Sequence, residues 1–502
     1  MKPQHAARLS LAKGVTRASS PSASVLGSKS YSSWTATSSL KQAHSSVPQT
    51  WEATPQTLDN VQTTTLDSGL KVTTVSSELP LAAVGLHVKA GARFETGESR
   101  GAAHFLRHLA FSRTSSRSPL TVTREMEVAT AAFDVSASRE NISYSGQLMP
   151  DYLEDYVWML RDLMHPLAWE YIVRDAAPQV AAEVHEAETN PATALVEAIH
   201  REAYRDEGLG NSIYCPNYRV GAVTREAIIR YHHERYQASN VALVGYGIKH
   251  EQLVAQANKY FPADAFAEDK APWTTLEAAD RKPGAVYTAA SSYTGGELRL
   301  PGPGNSRVAL AFEGASLADP DVFAVRTLSS LLGGAARFTR DGPGVGLRSR
   351  LARNVLAKGD YVLASSALNA SYSDSGLFGV FVEALPGHGA DAARLLSAEL
   401  NSLAGSFSVD DAELTRAKNQ AKASFFREVE SRTGLVDYLA RHTLAGTAPL
   451  APAQYAARFD AVTRDDLARV ARRVFSSPLT LVSTGDIHGV PTKEELRPKL
   501  KA

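Results

Sequence analysis

The sequence predicts an α+β fold made of two duplicated homologous domains, each a mixed or antiparallel sheet packed with helices. Three observations carry that prediction. A segment of the first half returns in the second: Val223-Thr-Arg-Glu-Ala-Ile-Ile-Arg leads into a strand ending at Gly247, and Val462-Thr-Arg-Asp-Asp-Leu-Ala-Arg into one ending at Gly485. The separation is 239 residues at the helix (223 to 462) and 238 at the closing glycine (247 to 485), one residue of slippage over the whole unit. Strand patterns of antiparallel type mix with helices in both halves. Between them, residues 262–293 are rich in Ala, Asp, Lys and Pro and lack sustained periodicity, which suits a linker.

Residues 61–75 open the ordered chain as strand patterns around the turn Leu66-Asp67-Ser68-Gly69-Leu70. Residues 82–90 (AAVGLHVKA) alternate as a half-buried strand. Helices follow at 102–111 and 119–128, then strands at 132–138 and 142–148. Longer helical patterns occupy 152–164, 177–188 and 191–203. In each echoed copy, Thr224 or Thr463 is suited to cap its helix, with acids in the first turn. His232 and His233 are read as an exposed polar face of the first of these helices. The second half opens at Gly295-Gly296 and carries a strand at 306–312; Tyr372 and Asp374 are expected to stabilise a strand and turn. The domains are therefore placed at 60–261 and 294–502.

The 502 residues exceed one ordinary core. Formal net charge is zero and the pI is near 7.3, so no basic field points to nucleic acid. No window approaches 18 uninterrupted apolar residues, so membrane association is expected only through partners. The lone Cys215 excludes an internal disulfide and fits a reducing compartment.

Residues 1–51 contain no Asp or Glu, while Arg8, Lys13 and Arg17 are interleaved with Leu9, Leu11, Ala12 and Val15. A basic, serine-rich, amphipathic start without an apolar h-region is the profile of a mitochondrial presequence. It is placed at 1–31, with cleavage after Tyr31, followed by a polar arm at 32–59. No phosphate loop, dinucleotide fingerprint or cysteine pair is present, so no cofactor is expected.

The chemistry concentrates in His104-Phe105-Leu106-Arg107-His108. In an H-x-x-E-H arrangement two histidines at i and i+4 share one helix face and grip zinc, and the glutamate takes the proton from the metal-bound water. Here Arg107 occupies the general-base position. A guanidinium cannot serve as that base, and it repels a dication.

The run from Gly101 to Phe111 resembles the inverted-motif metallopeptidases, which include mitochondrial processing peptidase and pitrilysin. The resemblance implies two such domains facing each other as a clamshell. It also implies a third ligand at Glu183, within the segment Glu183–Asn190, and a supporting carboxylate seven residues earlier, where this chain has Ala176. His104, His108 and Glu183 are thus vestigial ligand positions. Neither a metal nor catalysis is expected, and Arg107 is expected to pair with Glu183. Glu183, Glu186, Glu188, Asp206 and Glu207 are candidates for one acidic cavity or, more simply, a solvated face.

Within that superfamily, the segments Gly210-Asn-Ser-Ile-Tyr-Cys-Pro-Asn-Tyr-Arg-Val-Gly221, Asn369–Gly379, Ala417–Lys422 and Ser483-Thr-Gly-Asp-Ile-His-Gly-Val-Pro are similar to the core protein 2 branch of the mitochondrial cytochrome bc1 complex. This implies a non-redox subunit on the matrix side of the inner membrane, inside dimeric complex III. Its implied partners are a core protein 1-like chain, cytochrome b, cytochrome c1 and the Rieske subunit. One segment is closer to a relative: the loop with Gly333, Gly334, Gly342, Gly344 and Gly346 resembles the presequence-selecting loop of the processing peptidase α subunit. Arg337 and Arg340 inside it are expected to discourage basic peptides, which makes it a remnant.

Overall fold

The computed structural model describes residues 61–77, 80–114, 116–129, 132–166, 169–266, 290–337, 348–405 and 407–496. The presequence and polar arm, most of the linker, and Arg340, Gly342, Gly344 and Gly346 lie outside the described residues.

The first half runs β1 (Val61–Thr65), β2 (Lys71–Val75), β3 (Ala82–Val88), α1 (Ala102–Leu109), α2 (Pro119–Val128), β4 (Phe133–Ala137), β5 (Ile142–Leu148), α3 (Leu153–Leu163), α4 (Glu170–Thr189), α5 (Pro191–Ala203), α6 (Arg225–Arg235), β6 (Val241–Tyr246) and α7 (His250–Tyr260). The second runs β7 (Gly296–Pro301), β8 (Ser306–Glu313), α8 (Val322–Leu332), β9 (Gly334–Ala336), β10 (Val362–Ser371), β11 (Gly376–Ala384), α9 (Gly389–Ala404), α10 (Asp411–Glu430), α11 (Arg432–Ala445), α12 (Pro452–Asp460), α13 (Arg464–Ser476) and β12 (Thr480–Gly485).

Two six-stranded sheets result, in the orders β1-β2-β6-β3-β5-β4 and β7-β12-β8-β11-β10-β9. The run β2-β6-β3-β5-β4 repeats as β7-β12-β8-β11-β10. Each copy has one parallel pair, β2 with β6 and β7 with β12, and is otherwise antiparallel. The duplication therefore extends well beyond the echoed helix and strand. Thr224 and Thr463 accept the N–H of Ala227 and Asp466, capping α6 and α13 as their sequence suggests. Gly69 turns β1 into β2 with φ +91°.

The helical hairpins repeat too. α4 and α10 have 20 residues each. Asn190 ends α4 and caps α5, and Ser431 ends α10 and caps α11. Each hairpin reaches across: α5 packs on β12, β7 and β8 of the second sheet, and α11 on β6, β3, β5 and β2 of the first. Leu435, Val436 and Leu439 are buried with Ala83, Val244 and Tyr246; Leu195 and Ile199 are buried with Ala309, Leu377 and Val482. The halves thus exchange a helix each.

That exchange corrects one expectation. β3 is buried along its whole length rather than on alternate residues, because the face left for solvent is covered by α11. Other corrections are local. His232 is not on an exposed face; it is 3% exposed, its ring stacks on Tyr236 and its Nε2 bonds to the Met164 carbonyl at 2.8 Å. α4 begins at Glu170, not near 177, and runs through Pro178. Tyr372 and Asp374 do form a turn, but they bind across to the first half, where Tyr372 Oη lies 2.8 Å from His200 Nε2. Among the described residues, no helix is long and apolar enough to cross a membrane.

Candidate metal site and its neighbours

α1 is aimed by its own beginning. Gly101 precedes it at φ +91°, and a Cβ there would lie 2.4 Å from Cys215 Sγ, so the close approach of the Cys215 loop requires glycine. The buried Glu95 carboxylate accepts Gly101 N–H at 2.9 Å and Ala103 N–H at 2.8 Å, satisfying free donors of the helix end. Burial pushes Glu95 up to about 7 despite those bonds.

From this helix, His104 and His108 project one turn apart with ring centroids 5.3 Å from each other. α4 brings Glu183 to them. His104 Nε2 is 3.0 Å from Glu183 Oε2, and His108 Nε2 is 3.3 Å from Oε1. The three residues offer ligand atoms that all lie within 4.8 Å of one another, so the vestigial triangle expected from the sequence is assembled. Arg107 also joins it. Its Nη2 is 3.2 Å from His104 Nε2, 3.1 Å from His108 Nε2 and in close contact with Glu183 Oε2. Ala176, two turns before Glu183 on α4, packs against the first core and supplies no carboxylate.

Proton positions follow from the donors present. Cys215 N–H points at His104 Nδ1 over 3.1 Å, so Nδ1 keeps its lone pair and the neutral ring carries its hydrogen on Nε2, toward Glu183. Burial holds His104 down to about 4 and lowers His108 as well, so both rings are neutral at ordinary pH. Glu183 is also partly buried, which alone would raise it. The His104 hydrogen bond and the Arg107 charge outweigh burial and keep its carboxyl below the usual range. The site holds one carboxylate, one guanidinium and two neutral imidazoles.

This set does not fit zinc. Binding through Nε2 would move the His104 proton to Nδ1, against Cys215 N–H, at a cost of about 1 kcal/mol for one lost hydrogen bond. That is minor beside the roughly 10–16 kcal/mol gained by a structural zinc site. The guanidinium is the larger obstacle, because its Nη2 already lies 3.2 Å from His104 Nε2 and 3.1 Å from His108 Nε2, in the place an ion would take. Repulsion between a unit charge and a dication about 4 Å apart is on the order of 8 kcal/mol at an effective dielectric of 20. No carboxylate stands where a general base would be, so the arrangement also lacks the group that activates water.

The site opens into a polar cavity of about 330 Å³ lined by His104, Arg107, Ser136, Glu183, Glu186 and Tyr214. Glu188 and Asp206 line a second cavity of about 490 Å³, where Asp206 is paired with Arg100 at 2.8 Å. The two cavities adjoin at Ala187 and Tyr214, and Glu207 lines neither.

The glycine-rich segment is partly accounted for by packing. Gly333 ends α8 at φ +64°, and a Cβ on Gly334 would strike Ser366 on the neighbouring strand. Arg337 is not a free charge facing a ligand, contrary to expectation. Its guanidinium donates to the carbonyls of Val362 at 3.1 Å and Gly359 at 3.0 Å. Sequence reasoning missed the role of Cys215, whose backbone, not its thiol, sets the His104 tautomer.

Comparison with known proteins agrees with this geometry. Residues 71–217 match the family described as Insulinase (Peptidase family M16), and residues 222–421 match the Peptidase M16 inactive domain. The mitochondrial-processing peptidase subunit alpha-2 of Dictyostelium discoideum is 30% identical, covering 88% of this chain and 95% of that protein. The cytochrome b-c1 complex subunit 2 of Rattus norvegicus is 27% identical over 86% of this chain and 91% of its own length. In fold, a chain of complex III2 from Candida albicans is matched over its full length and 88% of this one, with TM-score 0.72 and 17% identity.

Proposed function

Since the chain belongs to peptidase family M16, we propose that it is a non-hydrolytic core subunit of mitochondrial respiratory complex III, ubiquinol–cytochrome c reductase. The observation that carries the non-hydrolytic reading is Arg107, which stands at the general-base position and is bonded to Glu183. Without a base, the fold's value is its surface. Two halves locked by exchanged helices offer a large fixed scaffold, and obligate assemblies use interfaces of about 2,000–5,000 Å². In this reading the chain lies on the matrix side of the inner membrane and reaches the membrane through partners. It pairs with a core protein 1-like subunit and supports cytochrome b, cytochrome c1 and the Rieske subunit without binding a cofactor. Its relatives with mitochondrial names, one a complex III subunit, support the mitochondrial part of this reading.

A second reading has its own support. A 30% identical relative is an α subunit of processing peptidase, and Arg337 does not oppose a basic peptide as its sequence position suggests. In that reading the chain holds presequences while a β-like partner with an intact H-x-x-E-H cleaves them. Affinity purification from mitochondria separates the two. Co-purification with cytochrome b and cytochrome c1 is expected; recovery only with a soluble β-like peptidase would replace the first reading with the second.

A further inference from the structure

Arg107 does more than fill a lost base position. The three ligand atoms of His104, His108 and Glu183 surround one point, and the Arg107 terminal nitrogen Nη2 is within hydrogen-bond reach of all three. Its two hydrogens have natural acceptors: Glu183 Oε2 and the His108 Nε2 lone pair. His104 Nε2–H, fixed by Cys215 N–H on the far side of the ring, also goes to Glu183. Every group in the triangle is then satisfied without a metal.

We infer that the Arg107 guanidinium is a tethered substitute for the metal ion: Nη2 takes the ion's place among His104, His108 and Glu183, ties α1 to α4, and closes the site to divalent cations. The side chain brings a fixed positive charge that needs no loading and that a chelator cannot remove. It also places that charge against a carboxylate of which two-thirds is covered, where ion pairing is worth more than at an open surface. The inference rests on the non-hydrolytic reading of the same site but not on which assembly the chain joins.

The test uses the mature chain, alone or with co-purified partners, and zinc chloride as the probe. Zinc uptake is read by equilibrium dialysis and stability by thermal unfolding, so a failure here is separable from a failure of the complex III assignment. The native chain is expected to take up no zinc at one equivalent, and its melting temperature should be indifferent to EDTA. Arg107→Ala should melt several degrees lower in EDTA, bind one zinc per chain at least tenfold more tightly than the native protein, and recover melting temperature on zinc addition. Adding Glu183→Gln to that variant should abolish the recovery. Stoichiometric zinc in the native chain would overturn the inference, as would an Arg107→Ala chain that neither loses stability nor gains zinc. If Arg107→Ala yields no soluble protein, Glu183→Gln in the native background serves instead, and an unchanged melting temperature there refutes the tether.

Discussion

Asp374, at the turn between β10 and β11 of the second half, receives both terminal nitrogens of Arg93 from the first half, 281 residues away in sequence. Arg93 is 5% exposed and also bonds Glu140 at 2.8 Å, while Glu140 in turn accepts the backbone N–H and hydroxyl of Ser373. The ion pair is thus one corner of a latch between halves. Removing a single partner leaves a buried guanidinium short of its counter-charge.

Asp374→Ala is therefore expected to destabilise the folded chain by about 3 kcal/mol, measured by urea unfolding at pH 7. Burial alone would raise the Asp374 carboxyl, but the Arg93 bonds outweigh it and hold the folded value below the ordinary 3.8. A depressed carboxylate contributes stability that is complete above its unfolded value and fades as pH falls through the folded one. The gap between native and variant should hold from pH 7 to about 5 and narrow below 3.8. A gap that stays constant to pH 2.5 would mean that the charge pair is not its source.

A second cross-half pair titrates in the opposite sense. His87 Nε2 on β3 lies 3.7 Å from Asp437 Oδ1 on α11, and its Nδ1 bonds Ser143 at 2.9 Å. Burial pushes Asp437 up to about 6, with Asp134 and Glu428 adding to the rise and Arg441 opposing it; burial brings His87 down to about 3. A carboxyl raised in the folded state costs stability where it must ionise, above pH 6, and that cost vanishes as pH falls toward 3.8. Asp437→Asn should therefore stabilise the chain at pH 7.5 by about 1 kcal/mol, a figure discounted for solvent screening because 45% of the side chain is exposed. The advantage should shrink between pH 6 and 4. His87 works against this trend in both proteins, so the variant-minus-native difference isolates Asp437. Equal stability at pH 7.5 would show that solvent already pays the desolvation cost.

Much of the fold was legible where the signal was local. The caps at Thr224 and Thr463, the turn at Gly69 and the helix starting at Pro191 need only neighbouring residues, and the structure has each of them. The i,i+4 histidines announced themselves by spacing, and Glu183 came with the family resemblance. What was not legible depends on distant chain. β3 reads as half-buried because α11, which covers its other face, lies some 350 residues downstream. The helical pattern at 177–188 catches only the later part of α4, whose interior holds Pro178. The helix runs through it because Pro178 and Arg174, whose carbonyl loses its partner, both face solvent. No pattern in the sequence could place the Cys215 backbone against His104.

The glycine before α1 offers a third prediction. Gly101→Ala meets two obstacles: a positive φ, worth about 1–2 kcal/mol against a non-glycine residue, and a clash with Cys215 Sγ at 2.4 Å. Together they should cost about 3 kcal/mol. Cys215→Ala in the same chain removes the sulfur contact but keeps the Cys215 Cβ at 2.9 Å and the backbone term, so the double variant should recover only part of the loss. Full recovery in guanidinium unfolding would mean that the φ at 101 carries no strain, and no recovery that the sulfur is not the obstacle.

The exchanged helices make the sharpest claim about cooperativity. Leu439 of α11 is wholly buried against the first sheet, although its helix belongs to the second half; Leu195 of α5 is 2% exposed against the second sheet. If each half were an independent unit, Leu439→Ala would weaken one calorimetric transition and spare another. Because each helix is covalently part of one half and completes the core of the other, removing either side chain should lower stability by about 2–5 kcal/mol and shift a single transition for the whole described fold. The same reasoning predicts that residues 294–502 produced alone expose the apolar face of α11 and leave β12 and β8 uncovered, so they should aggregate. Mixing with residues 60–261 during refolding should restore solubility. Two separate transitions in the intact chain, or a soluble, cooperatively melting second half, would show that the exchanged helices do not bind the halves into one folding unit.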